Sequence, residues 1–135
     1  MRFFLCVLVV FGLSAPALAQ SKAAKYLIAQ EVSKACEGPG TIRPESAIER
    51  DITGDGKDDL IINHRGIWCG SSQSGFCGMQ LCDVLIYVRK GSLLHLELET
   101  MSGSLRLSDG NPPDIYLSSH GGDESPIKWD GNKFR

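Results

Sequence analysis

Asp83-Val-Leu-Ile-Tyr-Val-Arg89, then Lys90-Gly-Ser92, then Leu93-Leu-His-Leu-Glu-Leu-Glu-Thr-Met101 is the stretch that decides the fold. Its first part interleaves Val84, Ile86 and Val88 with Leu85 and Tyr87, β-branched, aliphatic and aromatic residues that fit a pleated strand. Lys90-Gly91-Ser92 is a turn signal. The second part sets Leu94, Leu96 and Leu98 against His95, Glu97 and Glu99. That period of two predicts an antiparallel partner strand with one wet face. Glu97 and Glu99 share a face through the same period, so strand geometry explains the pair without catalysis.

Working outward, Gly66 to Cys82 is rich in Gly and Ser and holds three cysteines, which predicts a loop shaped by cross-links. Before it, Leu60-Ile-Ile62 reads as a strand, and the second half of Thr41–Ile52 reads as another. Together they predict a hairpin whose tip is acidic. Ser21 to Ala35 predicts a helix, with Ala23, Leu27, Val32 and Ala35 on one face. Lys22, Lys25, Gln30, Glu31 and Lys34 fall on the other. Cys36-Glu-Gly-Pro-Gly40 stops it. On the C-terminal side, Ser104–Ser108 and Ile115–Leu117 read as short strands. Loops fall at Asp109–Pro113 and His120–Pro126, and Ile127–Phe134 reads as a closing hairpin with Trp129 and Phe134 flanking Asp130-Gly-Asn132. The sum is an α+β domain. One N-terminal helix packs on a mainly antiparallel sheet of about six or seven short strands.

The chain has 135 residues and a formal net charge of −2, enough for one domain and without a basic tract or an acidic tail. Nucleic acid and anionic membrane surfaces are therefore poor partners. Residues 1–19 read as a cleaved signal peptide. Arg2 gives the positive start, Phe3–Leu13 the apolar run, and Ala17-Leu-Ala19 the small-residue cleavage site. That run is too short for a permanent membrane anchor. Residues 20–135 are then a single exported domain, periplasmic or secreted.

Export makes the cysteines readable. Cys36, Cys69, Cys77 and Cys82 remain after the leader, and an even number in an exported domain predicts two disulfides. Three pairings are open. Because three of the four lie between 69 and 82, one of those must reach back to Cys36, closing a span worth roughly 3–4 kcal/mol. A zinc site is the weaker alternative, since the spacing lacks paired C-x2-C knuckles and no His sits nearby at ligand spacing.

The chemistry concentrates in Asp51-Ile-Thr-Gly-Asp-Gly-Lys-Asp-Asp-Leu60. Calcium takes six to eight oxygens at about 2.3–2.6 Å. Asp51, Asp55 and Asp59 supply carboxylates at a spacing of four, and Thr53 supplies a hydroxyl. Gly56 permits a sharp bend, after which Lys57 turns its backbone oxygen inward. Asp58 falls outside that ring. The competing interpretation is a tight turn with solvated acids. This segment resembles the calcium loop of FG-GAP and VCBS-type repeat proteins, D-x-[DN]-x-D-G-x-x-D-L between two strands, in a single copy. The resemblance implies calcium, held by Asp51, Thr53, Asp55, Lys57 and Asp59. The succession of leader, acidic loop, cysteine loop and terminal Trp-Asp-Gly is also similar to that of small exported bacterial proteins.

Other candidates are weaker. His64 and His95 stand alone, and His120-Gly-Gly-Asp123 places a base near an acid only within a glycine loop. No G-x-S-x-G elbow is present, and no thiol is left as a nucleophile. The function expected is a non-catalytic, calcium-stabilised module that binds a protein or glycan at the cell envelope. The alternative is a small hydrolase using His120 and Asp123.

Overall fold

The computed structural model describes residues 20–135; the expected leader, residues 1–19, lies outside the described residues. One helix, α1 (Lys22–Cys36), precedes ten strands: β1 (Thr41–Ile42), β2 (Ala47–Arg50), β3 (Asp59–Asn63), β4 (Ile67–Cys69), β5 (Ser72–Gln73), β6 (Cys82–Lys90), β7 (Leu93–Ser102), β8 (Leu105–Leu107), β9 (Ile115–Ser118) and β10 (Glu124–Ile127). They form three antiparallel sheets: β2-β3-β6-β7, β1-β4-β5 and β10-β9-β8. The chain is α+β and mostly sheet. Among the described residues no helix is long and apolar enough to cross a membrane.

Ser21 caps α1, its hydroxyl accepting the Ala24 N–H at 3.2 Å, which satisfies one of the free donors of the first turn. The helix ends where Glu37 turns left-handed at φ 50° and the Gly38 N–H returns to the Ser33 carbonyl at 3.1 Å.

The β2-β3-β6-β7 sheet is covered on both faces. Ala24, Ile28, Val32 and Ala35 of α1 share one core cluster with Leu60, Ile62, Leu85 and Tyr87. The opposite face places Ile61, Val84 and Ile86 with Ile115 and Ile52, and against them pack Leu105, Leu107 and Leu117 of the β10-β9-β8 sheet. Burial on two sides explains why β3 is apolar at consecutive positions rather than alternating.

The β6–β7 hairpin differs from its expected alternation. Ile86 pairs with Leu98 but Tyr87 pairs with Leu96, so Glu97 is an extra residue in a bulge. A one-residue insertion exchanges faces along a strand. Leu94 accordingly packs in the helix-side cluster and Leu98 in the opposite one.

Four expectations need changing. The 66–82 segment, expected as a loop, contains β4 and β5, because β4 pairs with β1 beside the helix end. The last sheet strand lies at 124–127, within and just after the expected 120–126 loop. Pro126 is accommodated because β10 is an edge strand. The expected 127–134 hairpin is reduced to the Trp129–Phe134 bridge, with the two rings 5.0 Å apart. Finally, Glu31 does not face solvent. It is 5% exposed, on the stripe that Ile28, Val32 and Ala35 define.

The disulfides are Cys36–Cys69 and Cys77–Cys82. The first joins the end of α1 to β4, and the second closes the short loop before β6.

Candidate functional site

The acidic stretch is the tip of the β2–β3 hairpin. Arg50 and Asp59 are the last paired residues, so 51–58 form the tip itself. Two glycines let the chain fold back, Gly54 and Gly56, both at φ 83°. A Cβ on Gly54 would stand 3.2 Å from the Pro112 ring, where the tip meets the 108–113 loop. That loop is also tied to β2, since the Arg50 guanidinium donates to the Gly110 carbonyl at 2.6 Å.

Asp51 is wrapped by the tip it begins. Its Oδ1 accepts the Gly54 N–H at 2.7 Å and the Thr53 N–H at 3.2 Å, and its Oδ2 accepts the Gly56 N–H at 2.8 Å. Partial burial opposes its ionisation, but the amides of Gly56, Gly54, Thr53 and Asp55 outweigh that and hold its carboxyl below the usual range. Asp55 makes a smaller turn of the same kind, accepting the Lys57 N–H at 2.9 Å.

Asp59 is different: it is 0% exposed. Its Oδ2 accepts the Ile52 N–H at 3.0 Å and its Oδ1 accepts the Arg89 N–H at 2.8 Å. It therefore braces the start of the tip against β6. Burial raises its pKa, against the amides of Arg89 and Ile52, the Thr53 hydroxyl lowers it, and the Asp55 charge raises it further. Thr53 stands between two of the acids, within reach of Asp59 and 3.5 Å from Asp51 Oδ1. Asp58, outside the expected ring, offers its carbonyl to the Arg89 guanidinium at 2.7 Å.

The donor chemistry fits a hard cation. All the expected ligand atoms are oxygens, and a carboxylate has about four acceptor positions, more than these amides occupy. Among the described residues, however, no three acidic, imidazole or thiolate side chains close on a common point as a formed metal centre. The tip sets Thr53 beside Asp51 and within reach of Asp59 but does not close the three aspartates on one point. Asp59 faces inward as a brace, while Asp55 and Lys57 remain exposed.

His120 and Asp123 lie in the turn between β9 and β10 and are exposed. The turn is held by backbone: the Ser119 N–H donates to the Asp123 carbonyl at 2.9 Å. Among the described residues no hydrogen bond joins the two side chains.

A polar cluster that sequence reasoning missed lies under α1. His64 Nδ1 is 2.9 Å from Ser74 Oγ, which also accepts the Phe76 N–H at 3.1 Å. The other ring nitrogen, Nε2, lies 3.7 Å from Glu31 Oε2. That separation is too long for a hydrogen bond. Glu31 pairs with Lys34 at 2.7 Å and lies close to the Tyr87 hydroxyl. Burial lowers the His64 pKa despite the nearby carboxylates of Glu31, Asp83 and Glu99. Burial pushes the Tyr87 phenol well up, helped by the charges of Glu31 and Glu99. The cluster floors a cleft of about 240 Å³ bordered by Phe76, Asp83 and Glu99. Its members come from four separate places in the sequence. The one legible signal was the position of Glu31, three residues after Ile28 and directly before Val32 on the buried stripe.

Comparison of the chain with models of known protein families, with curated proteins and with solved structures finds no match.

Proposed function

We propose that this chain is a non-catalytic exported module whose 51–59 tip is a calcium clamp. It holds the β2–β3 hairpin in shape for a protein or glycan partner at the cell envelope. The observation that carries this reading is the wrapping of Asp51 by three amides of its own loop, with the Thr53 hydroxyl beside it. A loop whose backbone is already folded around one carboxylate loses little further freedom when a cation adds to it. Asp51, Thr53, Asp55, the Lys57 carbonyl and Asp59 would hold the ion, which would balance three like charges. The role is structural: the carboxylates of Asp51 and Asp59 hold backbone amides of the hairpin, and among the described residues no nucleophile and base stand together in the tip.

The resemblance to a single FG-GAP or VCBS-type loop supports the ion, and the apolar leader of residues 1–19 supports export. Two disulfides agree with an oxidising compartment. The test is a thermal melt of residues 20–135 in EDTA and in millimolar calcium, beside Asp55→Ala. Asp55 is exposed, so its loss leaves the fold intact. The reading predicts that calcium raises Tm by about 2–6 °C in the native chain and not in the variant. An unchanged Tm in the native chain removes the clamp.

A further inference from the structure

A second feature is positive where the hairpin tip is negative. A groove of about 400 Å³ runs between β2 and β8, and Arg43, Arg65 and Arg106 all line it, with Glu45 as the acid among its lining residues. The sequence has no basic tract; folding gathers these arginines from three distant segments. Arg43 and Arg65 form no ion pair among the described residues. Arg65 spends one guanidinium nitrogen on the Gln80 carbonyl at 2.6 Å, and its Nε is buried with no partner. Arg106 has an exposed pairing with Glu124 at 3.1 Å, a contact of little net strength in water.

Two of the three guanidinium groups also sit over aromatic rings. Arg43 lies over the Trp68 ring at 5.4 Å from its centroid, and Arg106 lies over Tyr116 at 3.9 Å. A cation–π contact uses the face of the guanidinium and not its N–H donors, so a planar oxyanion can still accept two of those in parallel.

The walls of the groove are strand edges. β2 is an outer strand of the four-stranded sheet and β8 an outer strand of the β10-β9-β8 sheet. Residues of both, Ile48 and Leu105–Leu107, line the groove. An outer strand presents a row of N–H and C=O groups that a further strand can pair with.

We infer that this groove docks an extended acidic peptide segment of a partner protein, its backbone adding along the edge of β8 and its carboxylates meeting Arg43 and Arg65. In an extended peptide alternate side chains share a face, so acids at every second position meet the arginines together. The strand edge favours a peptide over a glycan, whose hydroxyls do not repeat as amides do. A long polyanion is disfavoured by the net charge of −2 on the chain as a whole. This deepens the partner-binding half of the proposed function and rests on it, while being independent of the calcium clamp.

The experiment is fluorescence anisotropy of calcium-loaded residues 20–135 with labelled Thr-Glu octapeptide, at low salt and at about 150 mM salt. Thr-Lys octapeptide, the acidic peptide with N-methylated amides, and oligogalacturonate run beside it. Saturable binding of the acidic peptide is expected, weakened about tenfold by Arg65→Gln, by Arg43→Gln and by N-methylation, with each variant's Tm unchanged. The inference is overturned by no saturation up to about 1 mM peptide. Binding indifferent to both arginines overturns it too, as does oligogalacturonate binding as well as the peptide while N-methylation has no effect. Peptide binding without a calcium shift in Tm would remove the clamp alone; a calcium shift without peptide binding would remove the groove alone.

Discussion

Asp59 and Glu31 are both carboxylates sealed inside the protein, at 0% and 5% exposure, and they are held in opposite ways. Asp59 is held by backbone: the amides of Ile52 and Arg89 donate to its two oxygens. Glu31 is held by side chains: Lys34, Tyr87 and, more distantly, His64. The backbone donors exist whatever the sequence, and once buried they need an acceptor. The side-chain partners exist only because the sequence put them there. Asp59 therefore answers a requirement of the hairpin, whereas the Glu31 cluster is a set of groups that satisfy one another. A buried ionic group is weak evidence of stability when its whole cluster can be exchanged for apolar residues.

Substitutions separate the two cases. The largest effect is expected for Asp59→Ala, which leaves the Ile52 and Arg89 amides buried without acceptors. A loss of about 3–5 kcal/mol is predicted, read from urea denaturation in EDTA so that no cation enters the comparison. Next come the cross-links. Opening Cys36–Cys69, with a sequence separation of 33, by a double change to Ser should cost about 3–4 kcal/mol. Opening Cys77–Cys82, with a separation of 5, should cost about 2 kcal/mol. The first bond fixes the end of the helix that carries Glu31, so equal losses on the two openings would break the link between helix placement and the cluster.

A smaller effect sharpens the contrast. Glu31→Gln should cost about 1–2 kcal/mol. Replacing the cluster together, as Glu31→Met with His64→Phe and Tyr87→Phe, should recover most of that loss, because every partner that would be orphaned has gone with it. Asp59→Leu has no such rescue. A triple variant less stable than Glu31→Gln would show that the cluster supplies net stability.

The smallest effect is in pH. The folded pKa of His64 is lowered by burial, against Glu31, Asp83 and Glu99 and with Lys34 beside them. As pH falls below the unfolded value of about 6.5, the unfolded chain takes up a proton that the folded chain refuses. Stability should therefore decline as pH drops through that value and level off below the folded pKa. His64→Phe should flatten this part of the profile, seen in urea midpoints between about pH 7 and pH 5.

The same distinction marks what the sequence made legible. Asp51, Asp55 and Asp59 were readable because a turn's partners lie within a few residues, and the spacing of Gly and Asp states the loop. Two strands of the 83–101 hairpin were readable from alternation. Its bulge was not, since Glu97 looks like any wet-face residue until the register with Ile86 and Tyr87 is known. β4 and β5 hide in a glycine-rich stretch because their pairing depends on β1 and on the Cys36–Cys69 bond. The Glu31–His64–Tyr87 cluster and the Arg43–Arg65–Arg106 groove were invisible for one reason. Each is assembled by topology from residues that carry no local signal.

The central claim is that the 51–59 tip holds calcium, and the most direct measurement is calcium titration calorimetry of residues 20–135 after exhaustive chelation. The account predicts one saturable site per chain, with a Kd of about 10⁻⁴–10⁻³ M as extracellular calcium modules show, abolished by Asp55→Ala. Absence of binding at about 10 mM calcium, or a site that survives Asp55→Ala unchanged, would contradict it and leave Asp51 and Asp59 as acceptors for their own backbone alone.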